Sequence, residues 1–360
     1  MKVLFVADRR VDAGSVQALA NYSRAGDKLG HTLAAYGSPD PRFGDLHFST
    51  DVTAFDHVVF IFESRLRWMT GLQLTRILAA VPRHRRAILD ADGMYNRAVV
   101  LDDYDRNHAS ERDRAEWLAY YGELADRIFQ PTLVPKEPGI EPLLFYGYDP
   151  DSVMPAQPPS QKAFDILHVA HNWWRWSELS SRVLPALEAI RPRVGPIAFV
   201  GAWWQGSPPW AGALGLEAAF TVDSARLRRL AIELRPPVPY RDVIATMSEG
   251  RVNLLTQRPL LRHLRFVTSK YFEVFSADTT PLVMLDAEHA EVVYGPAGRD
   301  LALDCAVGER VLDALARSAR YREIVEAVRT HLAIHHSYRQ RVLDLVRALE
   351  GRRHDAPSHR

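Results

Sequence analysis

Short apolar runs alternate with longer amphipathic segments along the first 150 residues. We predict β-strands where a run is apolar throughout or nearly so, at 2–7, 31–37, 57–63, 86–92 and 126–131. Apolar residues at helical spacing predict the helices between them, at 14–30, 70–80 and 109–124. Strands that alternate with helices form βαβ units, so this half is predicted to hold a parallel, doubly wound sheet.

The same pattern begins again after residue 162. We predict strands at 164–171, 196–204, 251–256, 281–285 and 291–295. We predict helices at 177–191, 223–234, 240–249, 307–318, 321–333 and 336–350. The second half is therefore predicted to be a second α/β unit of the same kind.

A proline-rich segment separates the two halves. DPDSVMPAQPPSQK, residues 149–162, holds four prolines and little apolar content, which is typical of a linker. The predicted fold class is α/β, with two Rossmann-like domains that face a common cleft. We predict a first domain at 1–150, a linker at 151–162, a second domain at 163–334, a last helix at 335–350 and a disordered tail at 351–360.

Composition excludes several classes of protein. Hydrophobic residues make up 47% and charged residues 25%, as in soluble globular proteins. The net charge of +1 gives no large field that would mark nucleic acid or an anionic membrane as the main partner. A single cysteine, Cys305, leaves no internal disulfide framework. With no signal peptide and no apolar run near ~20 residues, we expect no membrane span and a cytoplasmic protein.

Ligands of open parallel sheets bind outside the carboxyl ends of the strands. We therefore take the residues that directly follow predicted strands as site candidates. They are Asp8–Arg10 with Gly14, Glu63–Arg65, Asp90–Gly93, His171–Arg175, Gly201–Trp204 and the stretch Ser269–Glu273.

The stretch FVTSKYFEVFSADTTPLVML, residues 266–285, carries the most chemistry. As a helix capped by Thr268, it would place Ser269, Lys270, Glu273 and Ser276 on one arc. The opposite arc is apolar and would pack on the sheet; its members are Tyr271, Phe272, Val274 and Phe275. A hydroxyl, an ammonium group and a helix N-terminus suit phosphate, and a carboxylate suits the diol of a ribose. A solvated helix face with a Lys270–Glu273 pair explains the pattern equally well.

The order of motifs along the chain resembles a known family. The segments that carry the resemblance are GSVQALANYSRAGDKLGHTLAAYG, EPLLFYGYDPD, FDILHVAHNW, VPYRDVIATMSEGRVNLL, TSKYFEVFSADTTPLV and HSYRQRVLDLVRAL. In this order they are similar to the retaining glycosyltransferases of the GT-B fold, group 1 type, and most of all to the spore-maturation-protein (CgeB-like) branch. The resemblance implies that the last helix crosses back to the first domain.

It also implies an activity, the transfer of a sugar from a nucleotide donor, a UDP-sugar, to a hydroxyl acceptor with retention at the anomeric carbon. Glu273 would bind the ribose, while Ser269 and Lys270 would hold the diphosphate, with Arg175 as a second phosphate ligand. Charged contacts to the leaving diphosphate would supply the main rate effect. No metal and no further cofactor would be required.

Other candidates complete the predicted site. Trp203 or Tyr240 would line the base pocket, and Gly14 belongs to the glycine-containing loop that opens the family's first domain. His171 stands at the carboxyl end of a predicted strand. Asp92 would orient an acceptor hydroxyl or the donor sugar, although a tight turn after the strand explains this residue almost as well.

Three departures from the family pattern leave alternatives open. Arg265 stands where many relatives have an acidic residue, Ser276–Thr280 replaces a small glycine-containing run, and Ala170-His171 replaces a glycine. The alternatives are a sugar-nucleotide epimerase, a non-catalytic module that binds nucleotide sugars, and a glycosyltransferase for modified DNA, against which the low net charge argues. The histidines of HLAIHHS, residues 331–337, have metal-like spacing but lack the glutamate of a zinc protease motif.

Overall fold

The computed structural model describes residues 1–7, 14–62, 71–96, 119–303 and 306–351. Several sequence-based candidates lie outside these ranges, namely Asp8–Arg10, Glu63–Arg65, Cys305, most of the predicted helix 109–124 and the tail after residue 351. In the described part of the chain, no helix combines the length and the apolar character that a membrane span requires.

Strands from the first half form one parallel sheet. Its described strands are β1 (Lys2–Val6), β2 (Thr32–Tyr36), β3 (His47–Ser49), β4 (His57–Phe62), β5 (Arg86–Asp90), β6 (Arg127–Gln130) and β7 (Ile140–Pro142). They lie in the order β3-β2-β1-β4-β5-β6-β7. The apolar runs of the sequence become strands covered on both faces; in β4, for example, every residue after His57 is buried.

The second half builds another parallel sheet. Its described strands are β8 (Phe164–Val169), β9 (Ile197–Val200), β10 (Ile232–Arg235), β11 (Gly250–Leu255) and β12 (Thr280–Val283). They lie in the order β10-β9-β8-β11-β12. Two doubly wound parallel sheets confirm the predicted α/β class.

Helices connect the strands and cover the sheets. In the first half they span Gly14–Lys28 and Gly71–Ala80. In the second half they span Trp176–Glu178 continuing through a π-helical segment Leu179–Val183 into Leu184–Ile190, then Ser224–Arg229, Val243–Met247, Pro259–His263, Lys270–Glu273, Ala287–Tyr294, Val307–Ala316, Ser318–His335 and Tyr338–Leu349.

Two predicted elements of the second half are wrong. Residues 291–295 are predicted to form a strand, but 291–294 belong to the helix Ala287–Tyr294, which ends at Gly295. Asp286 caps this helix by accepting a hydrogen bond from the amide of His289. The predicted helix 223–234 ends at Arg229, and the chain turns at Ala231, with φ of +50°, into β10. Residues 232–235 form a strand because their pairing with β9 outweighs the helical spacing of their apolar residues.

The last helix packs against the first. Tyr338–Leu349 lies along Gly14–Lys28, where the rings of Tyr22 and Tyr338 meet edge to face at 5.8 Å. The buried guanidinium of Arg341 pairs with the buried carboxylate of Asp344 at 3.0 Å. The end of the chain is therefore fastened to the half in which it began, while the predicted domain boundaries stay a prediction.

A buried carboxylate holds the turn after β5. Asp90 accepts hydrogen bonds from the amides of Met94 and Tyr95, the hydroxyl of Tyr121 and the side-chain amide of Gln130. Burial nevertheless outweighs these bonds and raises the pKa of Asp90 to about 6. The turn that Asp90 holds contains Asp92.

Substitution of Gly201 tests the close approach of β8 and β9. A Cβ on Gly201 would lie 2.1 Å from the carbonyl oxygen of Ala170, whereas one on Gly206, with nearly the same φ, meets nothing within 4 Å. Gly206→Ala should lower the free energy of unfolding by about 1–3 kcal/mol, because alanine is strained at this positive φ. Gly201→Ala should lower it by a further ~1–3 kcal/mol or more, because the new methyl group also overpacks against Ala170. Urea denaturation measures both, and equal losses would show that the contact relaxes freely.

Asp90→Asn tests the buried carboxylate through the pH dependence of stability. Because the folded protein binds this proton more tightly than the unfolded chain, the free energy of unfolding should rise as pH falls through about 6 towards the ordinary value of 3.8. The full contribution is on the order of 3 kcal/mol. In urea titrations, the free energy of unfolding of wild type should therefore rise relative to that of Asp90→Asn as pH falls from about 6 to 3.8. Asp151→Asn, at an exposed position, is the control, and it should follow wild type.

Candidate functional site

The carboxyl ends of both sheets meet at one cleft, which encloses a pocket of about 120 Å³. The first half contributes Gly14. The second half contributes residues at the carboxyl ends of β8 and β9, residues that follow β10 and residues before β12, namely Val169, Ala170, His171, Val200, Gly201, Pro237, Val238, Tyr240, Val243, Ser269, Lys270 and Glu273. Six of the nine sequence-predicted site residues thus line a single pocket: Gly14, His171, Tyr240, Ser269, Lys270 and Glu273.

The segment before β12 folds more tightly than the sequence predicted. Its helix is one turn, Lys270–Glu273, and the residue before it is Ser269, whose side chain makes no capping bond. The predicted cap at Thr268 and the longer helix are therefore wrong, because the chain turns towards β12 soon after Glu273. The predicted apolar arc is confirmed, since all four of its side chains are at most 1% exposed.

Glu273 is fixed in place before any ligand binds. Its Oε1 accepts a hydrogen bond of 2.6 Å from the hydroxyl of Tyr240. Burial, and then the nearby carboxylate, raise the pKa of Tyr240 well above its usual value, so the phenol stays a donor. The same two residues also line a larger cavity of about 540 Å³. Their hydrogen bond is therefore part of the wall of both cavities.

Of the two predicted phosphate-binding cations, Lys270 lines the pocket, whereas Arg175 lies near it without lining it. Burial lowers the pKa of Lys270; Glu273 opposes this shift and the positive charge of Arg175 adds to it. The guanidinium of Arg175 donates a 3.0 Å hydrogen bond to the carbonyl of His171, which holds it in the loop after β8. An anion bound beside Lys270 and Arg175 would replace the water that burial removes and offset their mutual repulsion.

Gly14 allows the two halves to touch at the pocket. A Cβ at this position would lie 2.7 Å from the hydroxyl oxygen of Ser269. The first turn of the helix Gly14–Lys28 therefore lies directly against the segment that carries Lys270. A larger residue at position 14 would push these segments apart.

His171 and Trp203 have different places. His171 lines the pocket, and its Nδ1 accepts a hydrogen bond of 2.9 Å from the amide of Ala202. Trp203 lies behind it, 5.4 Å from the imidazole, and packs with Trp173 and Phe220 in an aromatic cluster. Of the two residues predicted to line a base pocket, Tyr240 is at the pocket and Trp203 is one layer away.

Asp92 lies apart from this pocket, where it contacts the second half. Its carboxylate pairs with Arg258 at 3.2 Å, and the neighbouring Gly93 lies against Leu264 and Phe266. Sequence reasoning missed Arg258, although it follows β11 and the rule of strand ends would have included it.

The residues that depart from the family pattern have structural partners. Arg265, with φ of +54°, pairs with Asp286 at 3.4 Å. Asp278 pairs with Lys162 at 2.5 Å and accepts a bond from the amide of Gln157, so it holds the linker. In the described part of the chain, no three histidine, cysteine or acidic side chains form a group that could hold a metal ion; this includes His331, His335 and His336.

Comparison with known proteins identifies the fold. No family model and no curated protein matches the sequence. Among solved structures, the chain is similar to an alpha-glucosyltransferase in complex with UDP-glucose and DNA containing an abasic site, with a TM-score of 0.62. It is also similar to T4 phage BGT in complex with its UDP-glucose substrate, with a TM-score of 0.58, and to T4 phage BGT in complex with UDP and Mn²⁺, with a TM-score of 0.53.

Each of these similarities covers 97% of this chain and 99% of the other chain, at 11% sequence identity. The alignment thus includes both sheets and the cleft between them. Identity this low establishes the architecture alone, and the CgeB-like branch stays a prediction. The chain has the GT-B fold.

Proposed function

We propose that the protein is a glycosyltransferase that moves a sugar from a UDP-sugar to a hydroxyl acceptor. The observation that carries this proposal is the pocket at the strand ends, where two cations lie near a carboxylate that Tyr240 already holds. Cations suit a diphosphate, and the carboxylate suits the two hydroxyls of a ribose. Similarity of fold to proteins that bind UDP-glucose supports the same donor.

The diphosphate would lie beside Lys270, Arg175 and Ser269, close to the backbone of Gly14. As the bond between sugar and diphosphate breaks, negative charge grows on the departing oxygen. Cations that are already in place stabilise this charge strongly, because Lys270 is buried and solvent screens it weakly. Bound diphosphate would also keep Lys270 protonated, against the effect of burial.

We propose that the side chains, and not a metal ion, neutralise the diphosphate. Lys270 and Arg175 supply two positive charges to a group that carries two to three negative ones. The Mn²⁺ in one similar structure belongs to the T4 phage protein. Donor binding by this chain is therefore best measured in the presence of a chelator.

Retention at the anomeric carbon is the proposed stereochemical outcome. Inversion requires a base on the acceptor side that takes the proton as the new bond forms, and Asp92 is the carboxylate that the sequence nominates for that side. Its carboxylate is already engaged by Arg258 at 3.2 Å. The departing diphosphate would then take the acceptor's proton.

A hydroxyl on a modified DNA base is the second candidate for the acceptor. The observation that favours it is the similarity, over nearly the whole of both chains, to glucosyltransferases in complex with DNA. One of those complexes contains DNA with a HMU base. Small hydroxyl acceptors are the alternative, and a side-by-side assay with both acceptors separates them.

Glu273→Ala should weaken UDP binding about 10- to 100-fold without unfolding the protein, because a charge-assisted hydrogen bond is worth about 1.5–3 kcal/mol. Isothermal titration calorimetry in the presence of EDTA measures the loss. Glu288→Ala, which removes an exposed glutamate, is the matched control and should bind UDP as wild type does. Unchanged affinity in Glu273→Ala would refute the ribose assignment.

Asp92→Asn tests the stereochemistry. If the diphosphate takes the proton, the variant should keep sugar transfer within about tenfold of wild type, whereas loss of a protein base costs about 10²–10⁴-fold. NMR of the product reports whether the anomeric configuration of the donor is kept. A loss of more than about 10²-fold together with an inverted product would identify Asp92 as the base and exclude retention.

A further inference from the structure

Three basic side chains lie close together where the two halves touch, away from the pocket. The ammonium of Lys136, from the first half, lies 3.4 Å from Nε2 and 3.5 Å from Nδ1 of His263. Arg265 is close enough to Lys136 to repel it. All three side chains are exposed. We call Lys136, His263 and Arg265 the basic edge.

A bound anion would favour the charged forms of these basic groups. Burial, and then Arg265, lower the pKa of Lys136; burial, and then Lys136, lower that of His263. Arg265 pairs with Asp286 at 3.4 Å. The next cation on the helix, Arg262, is bound to Glu178 at 2.8 Å. A phosphate placed at this edge would offset the burial of Lys136 and His263, because an opposite charge close by favours the protonated form.

The fold places the basic edge at the mouth of the cleft. Lys136 lies in the loop after β6, and His263 ends the helix that follows β11, so both come from carboxyl ends of strands. The amide of Val267 donates a 2.8 Å hydrogen bond to the carbonyl of Pro131, which joins these two segments. Arg258, at the start of the same helix, pairs with Asp92. The basic edge therefore adjoins the proposed acceptor side.

Aliphatic side chains project beside these cations. Leu133 is 37% exposed and Val134 is 59% exposed, and both belong to the loop that carries Lys136. An exposed apolar tip next to cations suits a duplex, whose backbone is anionic and whose grooves present apolar sugar and base edges. Neither a free phosphate nor a small sugar would use the tip.

We propose that the basic edge and the tip Leu133–Val134 form the surface that receives the phosphate backbone of a duplex DNA acceptor. This inference rests on the proposed function with DNA as the acceptor. Phosphates bound here would bridge Lys136 of the first half and His263 and Arg265 of the second half. The affinity for DNA would then come from the charge at the basic edge, whereas the net charge of the chain would contribute little.

The test compares two double variants with the same change in side-chain types. Lys136→Ala with His263→Ala removes two members of the basic edge. Lys28→Ala with His84→Ala is the control, because both residues are exposed and precede strands of the first sheet, at the opposite edge. Fluorescence anisotropy with a short labelled duplex gives Kd at several salt concentrations, and calorimetry gives UDP affinity.

The basic-edge variant should bind the duplex at least tenfold more weakly at low salt, with a slope of log K against log salt that is smaller by about 1 to 2. UDP affinity and the unfolding transition should match wild type, and the control should keep the wild-type slope. Val134→Ser should weaken duplex binding with the slope unchanged.

An unchanged slope in the basic-edge variant, with UDP binding intact, would overturn this inference and leave the proposed function standing. Wild-type protein that binds UDP but no duplex would overturn it in the same way. Failure of wild-type protein to bind UDP would instead refute the proposed function. Loss of binding to phosphatidylserine vesicles but not to the duplex would assign the edge to membranes and overturn the proposal.

Discussion

The buried contact of the last helix with the first half decides how the two sheets share one cleft. The guanidinium of Arg341 donates to the carbonyl of Leu144 in the first half at 3.5 Å and to that of His335 at 2.8 Å. Within its own helix it pairs with Asp344 at 3.0 Å; the two side chains are only 5% and 8% exposed, and leaving either partner of a buried pair alone costs several kcal/mol. Because that helix lies on the first one, the chain crosses the cleft a second time and returns to the half that holds β1.

At the pocket, segments of the backbone lie very close together beside two cationic side chains. Gly14 brings the first helix against Ser269, and Gly201 lets β9 run against the end of β8. Lys270 lines this space, and Arg175 lies near it. Burial, and then the charge of Arg175, lower the pKa of Lys270 against the opposite effect of Glu273. A bound anion would act in the same direction as Glu273 and favour the charged lysine.

Much of the fold could be predicted because parallel strands buried on both faces are continuous apolar runs. The errors came where local pattern was ambiguous: 291–295 alternates like a strand but is capped by Asp286, and β3 and β7 are only three residues long. The local pattern of a hydroxyl, a lysine and a glutamate opposite an apolar arc found Lys270 and Glu273. It did not predict that Tyr240 holds Glu273 or that Arg258 reaches Asp92, because such contacts depend on how distant segments pack.

The linker between the halves is bonded to the second half. Ser152 bonds to Ser276, the amide of Met154 bonds to the carbonyl of Ser276, and Lys162 pairs with Asp278. The chain therefore crosses between the halves just before Ser152 and again at 336–337. At that point the amide of Tyr148 donates a 2.8 Å hydrogen bond to the carbonyl of His336. The two crossings thus lie side by side, so any relative movement of the halves that keeps this bond has to bend both strands of the chain at the same place.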